Sequence, residues 1–330
     1  MKERVFSGMR PTGKLHLGHL IGALNNWVAL QDAYECFYGI VDWHALTTEY
    51  AEVSQLRENV VEITLDWLAA GLDPGKSTLL IQSRVPNHAE LHVLLSMITP
   101  IPWLERVPSY KEQQVQLSNK DLSTYGFLGY PLLQAADILV YRAKTVPVGE
   151  DQVAHVELTR EVARRFNHLY GETFPEPRAL LTPTPRLLGL DGRKMSKSYN
   201  NCIYLSDSPE EIRGKTRMMI TDPARTHRSI PGNPDVCNVY DYHKVFTPAE
   251  KAREIDEGCR TAALGCVDCK GILAGNLIQL TQPIYEKRLT WEARRNEVMD
   301  ILESGTSHAR EVTEGVMRDV RHAMNVRYDD

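Results

Sequence analysis

Hydrophobic positions along the first half of the chain switch between strand-like and helix-like spacing. Arg4–Ser7 reads as a short strand and Met9-Arg10-Pro11-Thr12-Gly13 as a turn. From about Gly18 to Gln31, apolar residues return at helical spacing: Leu20, Ile21, Leu24, Trp27 and Val28. Cys36–Asp42 is a candidate buried strand, Val53–Leu72 a long amphipathic helix, Thr78–Gln82 a further strand, and His88–Ile98 a helix. Helical spacing recurs over Tyr130–Tyr141, then a strand at Thr145–Val148 and a helix over Gln152–Tyr170. This βαβα alternation predicts an α/β fold, a doubly wound, Rossmann-like parallel sheet with helices on both faces.

The texture then changes. Phe174–Leu188 carries Pro175, Pro177, Pro183 and Pro185 and reads as a linker ending the first domain. From about Pro209 the pattern is helical, apart from a Pro/Gly-rich loop over Asp222–Asp235. Val312, Val316, Met317, Val320 and Met324 make one apolar stripe on a final helix. Domains of 1–188 and 189–330 follow, the second all-helical, its last helix a candidate to pack back on the first. A length of 330 residues suits about two domains at roughly 150 residues each.

Composition narrows the class. With 42% hydrophobic and 25% charged residues, the chain matches a soluble globular protein and excludes disordered, collagenous and coiled-coil readings. No apolar run reaches the roughly 18 residues a membrane span needs, and the N-terminus lacks a signal-peptide core, so no membrane role and a cytoplasmic location are expected. A net charge of −5 argues against a general nucleic-acid coat and leaves room for a local basic surface.

Neither Gly-x-Gly-x-x-Gly nor Gly-x-x-x-x-Gly-Lys-[Ser/Thr] is present, which removes the main support for dehydrogenase and P-loop readings. Between the first strand and the first helix stands Pro11-Thr-Gly-Lys-Leu-His16-Leu-Gly18-His19. Doubly wound folds bind nucleotides there, at a strand's carboxyl end facing a helix N-terminus. Gly18 allows close backbone approach, and helix amides favour phosphate. Two surface histidines at a helix entry are an equal reading of this segment alone. The second segment is Lys194-Met195-Ser196-Lys197-Ser198, after Asp191-Gly192-Arg193. Two lysines and two hydroxyls suit a mobile phosphate clamp that stabilises charge on a transferring group; a solvated basic loop is the plainer alternative.

Together, His-x-Gly-His and Lys-Met-Ser-Lys-Ser resemble the two signatures of class I aminoacyl-tRNA synthetases. Val146-Pro-Val-Gly149-Glu150-Asp151-Gln152, Tyr130-Pro-Leu-Leu-Gln-Ala-Ala-Asp137, Phe6-Ser-Gly8-Met-Arg-Pro-Thr-Gly13 and Val41-Asp-Trp-His-Ala45 are similar to the bacterial tryptophanyl-tRNA synthetases, over nearly the whole chain. His19 departs from the Asn common in that family and is closer to the general class I signature. The resemblance implies an aminoacyl-tRNA ligase. The carboxylate of L-tryptophan attacks the α-phosphate of ATP, pyrophosphate leaves, and the tryptophanyl group of the adenylate passes to tRNA(Trp). It implies a catalytic domain at 1–188 and, over 189–330, the signature loop with an anticodon-binding domain.

By motif matching, His16, Gly18, His19, Arg10, Pro11 and Thr12 lie on ATP. Gly149, Glu150 and Asp151 approach the adenosine, with Leu187 near the base. Lys194, Met195, Ser196, Lys197 and Ser198 close on the pyrophosphate, and Mg2+ accompanies ATP. The catalytic set is His16, His19, Lys194 and Lys197. Asp137 matches the acceptor of the indole N–H, with Phe6, Gly8, Tyr130, Gln134, Val146 and Val148 in the same pocket and Gln152 meeting the amino group. Read without the resemblance, Asp137 is more simply a helix-surface carboxylate or one satisfied by a neighbouring basic group. His44, His88 and His155 lack metal-ligand company and are expected to be structural.

Cys237, Cys259, Cys266 and Cys269 are spaced C-x21-C-x6-C-x2-C, which can close a four-thiolate site. Spacing leaves zinc (Zn2+) and a 4Fe-4S cluster both open, and four unrelated cysteines are the minority reading. Some members of the resembled family carry the cluster, so the 4Fe-4S cluster is expected. Cys36 and Cys202 read as buried inert thiols. The resemblance also implies a homodimer. Met97, Ile98, Ile101, Trp103 and Leu104, interrupted by Pro100 and Pro102, are an apolar segment that suits either a subunit contact or the core. The competing functions are a tyrosyl-tRNA synthetase, a non-catalytic synthetase paralogue, and a small adenylyltransferase that would leave the second signature unexplained.

Overall fold

The computed structural model describes residues 2–116, 120–181, 187–195 and 197–328. Strands β1 (Arg4–Met9), β2 (Glu35–Ile40), β3 (Ser77–Ile81), β4 (Thr145–Val148) and β5 (Arg178–Leu181) form one sheet, ordered β3-β2-β1-β4-β5. Every pairing is parallel. Between β1 and β2 run α1 (Leu17–His19), a π-helical turn (Leu20–Leu24) and α2 (Asn25–Leu30), and between β2 and β3 run α3 (Asp42–Glu49) and α4 (Leu56–Ala70). The β3–β4 connection holds α5 (Asn87–Ser96), α6 (Ile101–Glu105), α7 (Pro108–Gln116) and α8 (Tyr125–Leu139), and α9 (Val153–Tyr170) joins β4 to β5. The sheet is followed by α10 (Pro209–Met218), α11 (Asn238–Phe246), α12 (Ala249–Arg260), α13 (Cys266–Glu292) and α14 (Arg295–Ala323).

Period-two alternation along the strands divides the core between the two faces of the sheet. Val5, Cys36, Tyr38, Ile40, Leu79 and Ile81 join one cluster with Trp27, Trp67 and Leu273, Leu277 and Ile278 of α13. Their neighbours Phe6, Phe37, Leu80 and Val146 join the other, with α5, α8, α9 and Val316, Met317 and Val320 of α14. Strands buried on both faces carry near-continuous apolar runs, which is why they stand out in the sequence.

Three stretches differ from the sequence expectation. Phe174–Leu188 is not all linker, since β5 lies within it, paired in register from Thr145↔Arg178 to Val148↔Leu181. Arg178–Leu181 contains no proline to block that pairing, and Pro183 and Pro185 fall outside the described residues. Asp42 begins α3 instead of ending a strand. The helices α3, α6 and α7 span nine residues or fewer, too short to show a full apolar period.

The last helix covers the β3 edge of the sheet. Thr306 Oγ1 accepts the Ile81 N–H at 3.2 Å, so a helix side chain satisfies part of the open strand edge. Gly305 makes the approach possible: a Cβ there would stand 2.1 Å from Leu79 O. Gly305→Ala should therefore push α14 off the strand and lower stability by about 1–3 kcal/mol, measured by urea unfolding. An unchanged midpoint would mean that the contact is not close in solution.

Candidate active site

The strand order reverses between β1 and β4, and a cleft of about 430 Å³ opens at their carboxyl ends, the place where doubly wound sheets bind ligands. Phe6, Gly8, Val146, Val148 and Gly149 line it from the strand ends, Arg10, Thr12 and His19 from the first turn and helix, and Tyr130, Gln134, Asp137 and Gln152 from α8 and the start of α9. Twelve residues singled out in the sequence thus share one cavity.

Asp137 is buried at 1% exposure, so the helix-surface reading does not hold. Its oxygens accept hydrogen bonds from His44 Nε2 at 2.8 Å, His88 Nδ1 at 2.7 Å and the Gln82 amide at 2.8 and 3.0 Å. Burial pushes this carboxyl up, but the His44 and His88 hydrogen bonds outweigh it and hold it at about 2. The Gln82 nitrogen is shared between the two oxygens, so Oδ2 retains capacity for one donor from the cleft. His88 continues the chain to Tyr141 Oη at 2.9 Å. His44 and His88 are structural in a specific sense, as the supports of Asp137; His44 also lines the cleft. His155 lines the cleft too and is linked through Ser109 Oγ (2.6 Å) to Tyr130 Oη (2.7 Å). Sequence reasoning missed these partnerships, because residues 44, 82, 88 and 137 lie far apart in the chain.

The helix entry is closed by its own histidines. His16 Nδ1 accepts the Gly18 N–H and His19 Nδ1 accepts the His16 N–H, each at 3.2 Å, with ring centroids 3.9 Å apart. With both Nδ1 atoms accepting, each neutral ring carries its proton on Nε2. Burial, then the Lys197 charge, lowers His16 to about 4; burial, then His16 and Lys197, takes His19 well below its ordinary value. Gly18 leaves room for this cap, since a Cβ there would sit 3.0 Å from the His16 ring.

The second signature touches the first. Lys197 Nζ donates to Thr12 O at 2.9 Å, Thr12 Oγ1 at 3.2 Å and Gly13 O at 2.8 Å. Burial lowers this lysine to about 8, with Asp66 and Cys202 pulling back. Met195 packs against the core, and Lys194 is exposed. Ser198 lies in the 3-10 turn Lys197–Tyr199, and Ser196 falls outside the described residues. Pro11 and Leu187 are not among the cleft-lining residues, nor are Glu150 and Asp151, both exposed at the start of the Glu150–Gln152 turn. Asp151 accepts the Gln152 side-chain amide at 2.8 Å.

The four cysteines gather around the start of α13. Cys237 precedes α11, Cys259 lies near the end of α12, and Cys266 and Cys269 occupy the first turn of α13. Burial, then the neighbouring Cys237, Cys259 and Cys266, pushes the Cys269 thiol up to about 12. Arg225 Nη1 stands 3.6 Å from Cys259 Sγ, and His243 Nε2 stands 3.4 Å from Cys269 Sγ. Among the described residues, no group of three or more His, Cys, Asp or Glu side chains is arranged to hold a metal ion. Cys36 and Cys202 are buried, and among the described residues no helix is long and apolar enough to cross a membrane.

A nucleotide-type cleft with both signatures joined at its mouth defines a class I synthetase, and the family of tRNA synthetases class I (W and Y) matches residues 2–282. The chain is 54% identical over 327 residues to the tryptophan–tRNA ligase of Thermotoga maritima, covering 98% of this chain and 100% of that one. It is 43% identical over 324 residues to that of Deinococcus radiodurans, covering 97% of each. The crystal structure of Campylobacter jejuni tryptophanyl-tRNA synthetase complexed with ADP and tryptophan superposes with a TM-score of 0.86 at 30% identity, covering 98% of this chain and 99% of that one. The chain belongs to the tryptophan–tRNA ligase family.

Histidines held neutral by desolvation, His155 and His243 buried and His16 and His19 half-buried, should make the fold acid-labile. His16, His155 and His243 are lowered to about 4 by burial, and His19 lies well below its ordinary value for the same reason. Unfolded histidine titrates at about 6.5, so below that pH the unfolded chain binds more protons. This contribution to stability is complete above pH 6.5 and is lost as the pH falls toward about 4. The melting temperature should drop between pH 7 and pH 5; a flat profile would show these rings already solvated.

Proposed function

We propose that this chain activates L-tryptophan with ATP and transfers it to tRNA(Trp). The observation that carries the reading is Asp137, a buried, ionised carboxylate with spare acceptor capacity in the floor of the cleft. An indole offers one N–H on an apolar body. Asp137 is the acceptor, and Phe6, Gly8, Val146 and Val148 surround the ring, while Tyr130, Gln134 and Gln152 take the amino-acid end.

ATP lies along the first turn. Arg10, Pro11, Thr12 and Gly18 frame its phosphates, the His16 and His19 Nε2–H groups face them, and Gly149, Glu150, Asp151 and Leu187 take the adenosine. The tryptophan carboxylate attacks the α-phosphate and pyrophosphate leaves, so the protein supplies position and positive charge and no covalent nucleophile of its own. Lys194 and Lys197, with Met195, Ser196 and Ser198 of the same loop, move onto the departing pyrophosphate. For this, Lys197 exchanges its backbone acceptors at Thr12 and Gly13 for phosphate oxygens. Mg2+ arrives with ATP. A phenol O–H also donates to a carboxylate, so the preference for tryptophan over tyrosine rests on the Tyr130–Asp137 and Val146–Gln152 segments and on the likeness to tryptophan–tRNA ligases.

The division at 1–188 and 189–330, the cytoplasmic location and the homodimer belong to the same reading. Met97 and Ile101 are 71% and 59% exposed, whereas Ile98 and Leu104 are buried, so one side of the segment serves the core and the other is free for a second subunit.

Cys237, Cys259, Cys266 and Cys269 are the thiols that would hold a 4Fe-4S cluster or Zn2+, and they would have to draw closer to do so, since as placed they form no metal-holding group. Mutual repulsion of neighbouring thiolates is what a bound cation relieves. The N-terminal turn of a 27-residue helix favours anionic Cys266 and Cys269, and Arg225 adds positive charge beside Cys259. Such a centre would cross-link α11, α12 and α13. Protein purified without oxygen should be brown with equal iron and sulfide. A colourless chain with one zinc would replace the cluster, and metal-free protein with four titrating thiols would remove the site.

Tryptophan-dependent ATP–pyrophosphate exchange without tRNA tests the function. We expect exchange with tryptophan above all other amino acids, and Lys197→Ala should lower its kcat on the order of 10²-fold with tryptophan affinity kept. Better exchange with tyrosine would overturn the specificity, and equal losses in rate and affinity would make the loop structural.

A further inference from the structure

A buried ion cluster beneath the His16–His19 turn is not used in the chemistry above. Asp66, on α4, is fully buried. Its Oδ2 accepts the Leu15 backbone N–H at 2.6 Å, and its Oδ1 accepts Arg288 Nε, from α13, at 2.7 Å. Leu15 immediately precedes the histidine that caps the helix, so Asp66 grips the backbone where the turn begins. Arg288, itself 3% exposed, pairs through its other nitrogens with Glu62 and, at 2.9 Å, with Glu292. Glu62 also receives Arg295 Nη2 at 3.0 Å.

An isolated buried carboxylate would take up a proton or swing toward solvent. Burial does push Asp66 up, and the Arg288 charge and the Leu15 N–H are the two largest influences opposing it. The same carboxylate's charge also reaches Lys197 of the second signature. The guanidinium thus stands behind a carboxylate that holds the backbone of the first signature and whose charge reaches the second, although it comes from the helical half and is absent from the cleft lining. The turn has other anchors: Leu17 N–H donates to Ile203 O at 3.0 Å and Leu205 N–H to Leu15 O at 2.9 Å. Loss of Arg288 should therefore displace the turn without releasing it.

We propose that Arg288 is a positioning residue for adenylate formation, acting through Asp66 and the Leu15 N–H to set where His16 and His19 stand. The proposal rests on the reading of that turn as the ATP site. The test compares Arg288→Gln and Arg288→Lys with the wild-type full-length chain in tryptophan-dependent pyrophosphate exchange, tryptophan calorimetry and thermal melts. In Arg288→Gln, kcat should fall on the order of 10²-fold, as for a small misplacement of reacting groups, and KM for ATP should rise, while tryptophan affinity stays unchanged. Arg288→Lys keeps a cation beside Asp66 but loses the fork, and its kcat should be intermediate.

Wild-type kcat in a folded Arg288→Gln chain would overturn the proposal, as would a parallel loss of tryptophan affinity, which marks general loosening. If the Gln variant does not fold, Arg288→Lys decides: a reduced kcat with unchanged tryptophan affinity supports the role, and a wild-type kcat removes it. A wild-type chain that performs no exchange would instead sink the reading of the site.

Discussion

An ionised carboxylate on an otherwise apolar helix must be stabilised locally or it does not stay ionised. Asp137 is stabilised by two imidazoles and one amide, each delivered by a different element: His44 by α3, Gln82 by the turn after β3, and His88 by α5. Their convergence fixes how α8 lies against the sheet, and with it the wall formed by Tyr130, Gln134 and Asp137. The arrangement is buried, with three protein donors on the carboxylate and one acceptor position left toward the cleft, which suits recognition of one hydrogen-bond donor on an apolar ligand.

The second organising contact is that between the signatures. They are about 180 residues apart in sequence, yet Lys197 Nζ sits on the carbonyls of Thr12 and Gly13. The chain between them completes the sheet with β4 and β5, so the fold itself returns the loop to the carboxyl ends of the strands. From the helical half, α13 and α14 then pack against α4 and the β3 edge, which ties the base of the first signature turn to helices far along the chain.

Much of this was legible in the sequence. Buried parallel strands declare themselves as apolar runs, which located β1 to β4, and the two signatures marked the mouth of the cleft. β5 was obscured because prolines flank it on both sides, although Arg178–Leu181 itself has none. The partners of Asp137 were illegible for another reason: a lone histidine carries no periodicity, and the distances that unite residues 44, 82, 88 and 137 exist only after the sheet has formed. Gly305 was equally silent, since its role depends on the carbonyl of a strand more than 200 residues away.

The central claim is that the Asp137 carboxylate recognises tryptophan, and Asp137→Asn tests it most directly. The substitution keeps the size of the side chain and removes the charge. Calorimetric titration with tryptophan and, separately, with ATP is expected to show tryptophan binding weakened by about 1–3 kcal/mol and ATP binding unchanged. Tryptophan affinity equal to that of the wild type, in a variant that is folded, would contradict the account.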